Sequence, residues 1–138
     1  MEKVLNCGIN ICIHCIDYIS GANREFEVLF EEWDDRYIGY EHRDKRTRYK
    51  MILKNVLDMR YSIENASIVR FSKMTRAHTE KSSIFLIEDS EYIKYFTHQV
   101  SFTYPTDKLK HYIIVDRTDT TLDVLTETIP VIEKIWDC

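Results

Sequence analysis

Arg24-Glu25-Phe26-Glu27-Val28-Leu29-Phe30-Glu31-Glu32-Trp33 places apolar side chains at every second position, Phe26, Val28 and Phe30, with carboxylates between them at Glu25, Glu27 and Glu31. A period of two marks a strand with one buried and one wet face, because successive Cβ atoms point to opposite sides. Leu29 interrupts the polar face, and Trp33 closes the end of the run. Upstream, Ile9, Ile11 and Ile13 alternate in the same way before Ile13, Ile16 and Ile19 shift to a spacing of three. Lys3 to Ile19 therefore reads as a strand, and Ser20-Gly21-Ala22-Asn23 supplies turn residues that fold it back as a hairpin onto 24–33.

Downstream the period changes. Tyr49, Ile52, Leu53, Val56 and Leu57 fall on one stripe of a 3.6-residue helix, so Arg43 to Arg60 is predicted helical. Extended segments are expected at Ser67 to Met74, Ser83 to Glu88 and Tyr95 to Tyr104. In the last, Phe96, His98, Val100 and Phe102 alternate with Thr97, Gln99, Ser101 and Thr103, which puts His98 on a buried face. The 83–88 segment is apolar on both faces and belongs in the middle of a sheet. Pro105-Thr106-Asp107 reads as a turn and Tyr112 to Val115 as a short buried strand. A final helix is expected to start at Asp119, Thr120 or Thr121 and to bury Leu122, Val124 and Leu125. Pro130 breaks it, leaving Val131 to Trp136 as a second turn or short helix whose first position is Pro130. This order predicts one α+β domain over 1–138, a mostly antiparallel sheet of about five or six strands with two main helices packed on one face.

The chain has 138 residues, 44% of them hydrophobic, with 3 Gly and 2 Pro, which suits a single core without a flexible linker. Its net charge of -4 gives no long-range attraction to a polyanion. No leader-like start is evident, and the longest apolar run, Ile9 to Ile19, is interrupted by Asn10, His14 and Asp17. The expectation is a cytoplasmic protein with reduced thiols and no membrane contact.

Cys12-Ile13-His14-Cys15, with Cys7 nearby, offers half of a zinc site. His42, His78, His98, His111 and Cys138 show no paired spacing that completes it. Cys7, Cys12 and Cys15 are accordingly read as small apolar thiols, and neither a metal nor a cofactor is assigned. The acidic run supplies Glu27, Glu31, Asp34 and Asp35 as a surface for a basic protein partner. The next stretch reverses sign. Arg36, Arg43, Lys45, Arg46 and Arg48, with Tyr49 to stack on a base, form an alternative phosphate, nucleotide or nucleic-acid surface, and Glu41 with Lys45 has the spacing of a helical ion pair. A metal-dependent nuclease or other hydrolase is a third reading, with acids from 25–35 or Glu88, Asp89 and Glu91 beside Lys94.

Glycine-rich phosphate loops, Gly-x-Ser-x-Gly elbows and His-Glu-x-x-His helices do not occur in the sequence. Nine Tyr, six Phe and two Trp exceed what a small core needs, and aromatic side chains are enriched where proteins meet partners. The sequence therefore favours a non-catalytic binding protein, of immunity or inhibitor type, whose partner is another protein. A homodimer built on exposed strand aromatics is the related expectation.

Overall fold

The alternation at Phe26, Val28 and Phe30 is realised in strand β3 (Glu25–Glu32), whose Val28 and Phe30 have no exposed surface. The computed structural model describes residues 2–37, 39–62, 82–100, 105–118 and 120–135. Among them β3 is joined by β1 (Lys3–Asn6), β2 (Ile13–Ala22), β4 (Arg48–Leu53), β5 (Val56–Ser62), β6 (Ile84–Glu88), β7 (Lys110–Val115), β8 (Thr121–Thr126) and β9 (Val131–Lys134). One α-helix, α1 (Glu91–Val100), and two 3-10 segments, Asp35–Tyr37 and Tyr40–Lys45, complete the described elements.

The strands form two antiparallel sheets, one in the order β1-β6-β7-β8-β5 and one in the order β2-β3-β4-β9. Their inner faces share one core. Ile13, Val28, Phe30, Met51 and Leu53 come from the four-stranded sheet, and Val56, Ile84, Tyr112, Ile114, Leu122 and Val124 from the five-stranded one. Burying such side chains contributes roughly 1.5–3 kcal/mol each, so this shared layer is what holds the sheets face to face.

Among the described residues the chain crosses between sheets three times, from β1 to β2, from β4 to β5 and from β8 to β9, and the last two crossings are neighbours. At Lys54-Asn55, where Asn55 takes φ 53, it leaves β4 for β5, and after β8 it returns to the other sheet as β9. The hydroxyls of Thr126 and Thr128 donate to the Lys54 carbonyl at 2.6 and 2.8 Å, tying the two crossings together. Ser83 joins the sheets elsewhere, its Oγ accepting from the Ile13 N–H and its carbonyl from the Val115 N–H, both at 2.8 Å. The edge strands share a property: β1 and β9 are four residues long, β5 is bulged at Leu57, and β2 is bulged at His14 and Asp17.

Several expectations are corrected. The predicted 43–60 helix is the 3-10 turn at Tyr40–Lys45 followed by β4 and β5, because Tyr49, Met51 and Leu53 also alternate and Asn55 turns the chain. The 95–104 strand is largely α1: Tyr92, Ile93 and Phe96 make one helical stripe, Ser90 caps the start, and His98 faces solvent. Leu122 to Leu125 lies in β8 and Val131 in β9, so neither C-terminal helix forms. In place of two main helices on one sheet there are two sheets and one helix among the described residues. The mostly antiparallel sheet content, the 24–33 strand with its hairpin, the interior position of the 83–88 strand and the 112–115 strand hold. The 67–74 strand lies outside the described residues.

Candidate functional site

The outer face of the four-stranded sheet is built by the residues that alternate with its core. Tyr18 on β2 lies opposite Leu29 on β3, and Ile52 on β4 lies opposite Val131 on β9. Leu29 and Ile52 sit diagonally across the β3–β4 pair, since Leu29 faces Lys50 and Glu27 faces Ile52. One apolar side chain from each strand thus forms a continuous diagonal row, and same-face diagonal neighbours in a sheet are within reach of long side chains. Its ends are open: Tyr18 is 54% and Val131 50% exposed, and Ile129, two residues earlier, is 61% exposed. Helix α1 lies over β7 of the other sheet. Charges border the row in compensated pairs, with the Lys50 ammonium 3.7 Å from Glu27 and 3.8 Å from Glu133.

At one end of this face the strand carries a buried charge. The Glu31 carboxylate has no exposed surface and is held by Arg46 Nε at 2.8 Å, Arg43 Nε at 3.2 Å and Arg48 Nη2 at 3.6 Å. Arg46, itself buried, also donates to the carbonyls of Tyr37 and Gly39, which fixes the 3-10 segments against the sheet. Burial alone would raise the Glu31 carboxyl, but hydrogen bonds and charge from Arg46 and Arg43 outweigh it and hold the group below its usual 4.5. The Cys15 thiol is 3.6 Å from Glu31 Oε2 and 3.7 Å from Asp17 Oδ1. Burial, reinforced by those two carboxylates, pushes its pKa up to about 12.

The residues expected to form an acidic docking strip are therefore dispersed. Glu31 is interior, Asp34 is chelated by Arg36 at 2.8 and 3.0 Å, Asp35 accepts the Trp33 indole N–H at 2.6 Å, and Glu27 borders the apolar row. The basic strip is divided too. Arg46 is buried, Tyr49 stacks on Phe30 at the core, Lys45 lies over the Tyr37 ring, and Arg43 and Arg48 line a shallow groove with Glu41 and Asp44. Lys45 meets Tyr37 rather than completing the expected pair with Glu41. Of the cysteines, Cys7 donates to the Ile84 carbonyl, Cys12 is half-buried where its carbonyl accepts the Trp33 N–H, and Cys15 joins Glu31. Lys94 pairs with Asp89 at 2.9 Å and Glu91 at 3.4 Å, and this exposed group rims a cleft of about 360 Å³.

Ser90 borders the same cleft and begins a chain that the sequence did not reveal. Its Oγ is 2.7 Å from His111 Nδ1, and His111 Nε2 is 2.6 Å from Asp123 Oδ1. These are the residue types of a nucleophilic relay, in which the imidazole must also reach the leaving group. Here His111 has no exposed surface, Tyr92 stands edge-on against its ring at 5.3 Å, and Ser90 Oγ accepts the Ile93 N–H as the cap of α1. The chain fastens helix to sheet and offers a substrate no route to the imidazole.

Among the described residues, nine antiparallel strands in two facing sheets, with one helix on the outside of the larger, define a β-sandwich architecture whose four-stranded sheet carries the apolar row on its outer face. No family model, no curated protein and no solved structure matches the chain. The apolar row had one visible sign in the sequence, the Leu29 that breaks the polar face of the 24–33 strand. Its other members come from strands that only the topology brings together.

Proposed function

We propose that the chain is a non-catalytic binding protein that seats another protein on the outer face of its four-stranded sheet and blocks that partner, as an inhibitor or immunity protein does. The row Tyr18, Leu29, Ile52 and Val131, open at both ends and bordered by paired charges, carries the reading. An apolar, aromatic-bearing centre inside a polar rim is the composition of protein docking patches. The partner surface that fits it has an apolar centre and charges of both signs at its margin, with basic groups opposite Glu27 and Glu133. Glu27 then acts as a rim contact, while Glu31 holds Arg43 and Arg48 at one end of the face.

The test combines Tyr18→Asp with Val131→Asp. Because both side chains are at least half exposed, the melting temperature should stay close to that of the wild type. A partner captured from the native host, purified and titrated back, should bind the double variant roughly thirtyfold more weakly or worse, the loss expected of central contacts. Equal affinity would sink the reading. If wild type and variant differ instead in self-association by light scattering, the occupant is a second copy. Arg43→Gln combined with Arg48→Gln should weaken partner affinity much less than the Tyr18 and Val131 pair does, with folding checked by melting temperature. If this double substitution abolishes binding of labelled oligonucleotides by the wild type, the nucleic-acid reading takes precedence.

A further inference from the structure

We propose that His14, Cys15 and Glu31 form a site for a borderline-soft divalent cation of the zinc type, with Asp17, beside Cys15, turning in as a fourth ligand when the ion binds. Ligand atoms of His14, Cys15 and Glu31 all lie within 4.8 Å of one another. Two separations already have the required length. Zinc bonds sulfur at about 2.3 Å and carboxylate oxygen at about 2.0–2.2 Å, so a tetrahedral site has a sulfur-to-oxygen edge of about 3.5 Å. Cys15 Sγ stands 3.6 Å from Glu31 Oε2 and 3.7 Å from Asp17 Oδ1.

The backbone explains how neighbouring residues converge. In a regular strand His14 and Cys15 would point to opposite faces, but β2 carries an extra residue at His14 and another at Asp17, which breaks the alternation. His14 supplies an independent observation: its Nδ1 is buried without a hydrogen-bond partner among the described residues, a condition that calls for an explanation in a folded protein. An imidazole nitrogen, a thiolate and two carboxylates select zinc-like ions, whereas magnesium and calcium require oxygen ligands alone.

The Cys15 S–H bond breaks, its proton leaves to the buffer, and a sulfur–metal bond forms, while Glu31 keeps its bonds to Arg46 and Arg43 and is oriented by them. The same arginines oppose an incoming cation and keep the affinity moderate. Arg43 is the one to remove, since its side chain is 49% exposed and also lies 4.0 Å from Asp17.

Titration of the whole chain with Co2+, whose thiolate complexes absorb in the near ultraviolet and whose tetrahedral complexes absorb in the visible, tests the site. The expected result is one ion per chain, displaced by Zn2+. The thiolate band should vanish in Cys15→Ser, weaken at least about tenfold in affinity in His14→Ala and Asp17→Asn, persist in Cys7→Ser and Cys12→Ser, and tighten in Arg43→Gln. Circular dichroism checks that each variant is folded. If Cys15→Ser does not fold, His14→Ala and Asp17→Asn decide the matter. No thiolate band at millimolar Co2+, a band that depends on Cys12 or Cys7, or a band unchanged in both His14→Ala and Asp17→Asn overturns the proposal.

Discussion

Glu31 is held by guanidinium groups where a surface carboxylate would be held by water, and this makes its contribution to folding depend on pH. Its folded pKa lies below the 4.5 it has in the unfolded chain, so the unfolded state binds the proton more readily. The stabilisation is complete above pH 4.5 and is lost as the pH falls through the lower, folded value. In metal-free protein, Glu31→Gln should lower stability at neutral pH and flatten its decline with acid, as read by urea unfolding at a series of pH values. Parallel declines would show that the acid sensitivity arises elsewhere. Asp116 is a second buried carboxylate with a structural task. It accepts the N–H groups of Ile16, Thr118 and Thr120 and the Thr118 hydroxyl, all between 2.9 and 3.0 Å, joining the β7–β8 turn to the bulged strand β2. Asp116→Ala leaves these donors without partners in a buried turn and should cost roughly 2–4 kcal/mol in chemical denaturation. A loss below about half a kcal/mol would mean that water replaces the carboxylate without penalty.

Helix α1 shows how an element can carry two periods at once. Phe96, His98 and Val100 alternate as in a strand, while Tyr92, Ile93 and Phe96 follow a helical stripe, and the choice rests on the cap at Ser90. Its Oγ accepts the Ile93 N–H at 3.0 Å and meets His111 at 2.7 Å, so one hydroxyl both starts the helix and docks it. Ser90→Ala should therefore cost more than the roughly 1 kcal/mol of a cap alone, reaching about 2–3 kcal/mol because His111 also loses a buried partner. A cost no greater than that of an ordinary cap, measured by thermal unfolding, would separate the two roles. The 43–60 segment failed for a related reason. Its apolar residues fit both a helical stripe and the alternation Tyr49, Met51, Leu53, and the deciding feature is the left-handed Asn55, which no hydrophobic pattern encodes. The 24–33 and 112–115 strands were legible because their patterns admit one period.

At the level of the whole molecule, pairings join residues far apart in the chain: Lys3 with Glu88, Tyr49 with Lys134 and Val56 with Thr126. Local sequence patterns carry no record of such partners, which is why strands were recognisable while the second sheet and the apolar row across it were not. Ending the chain after Pro130 removes β9, deprives Met51 of its neighbour Ile132 and takes Val131 from the docking row. The truncated protein should melt several degrees lower and bind its partner poorly, as read by thermal unfolding and by titration with the purified partner. An unchanged melting temperature would place β9 outside the cooperative unit. Finally, among the described residues every sheet border is either four residues long or interrupted by an extra residue. A growing cross-β stack needs a long, regular ladder to copy, and none of these borders supplies one. Agitated, concentrated solutions of the folded protein should therefore remain negative to amyloid dyes, leaving the side chains of the open face, rather than backbone edges, to govern what the molecule sticks to.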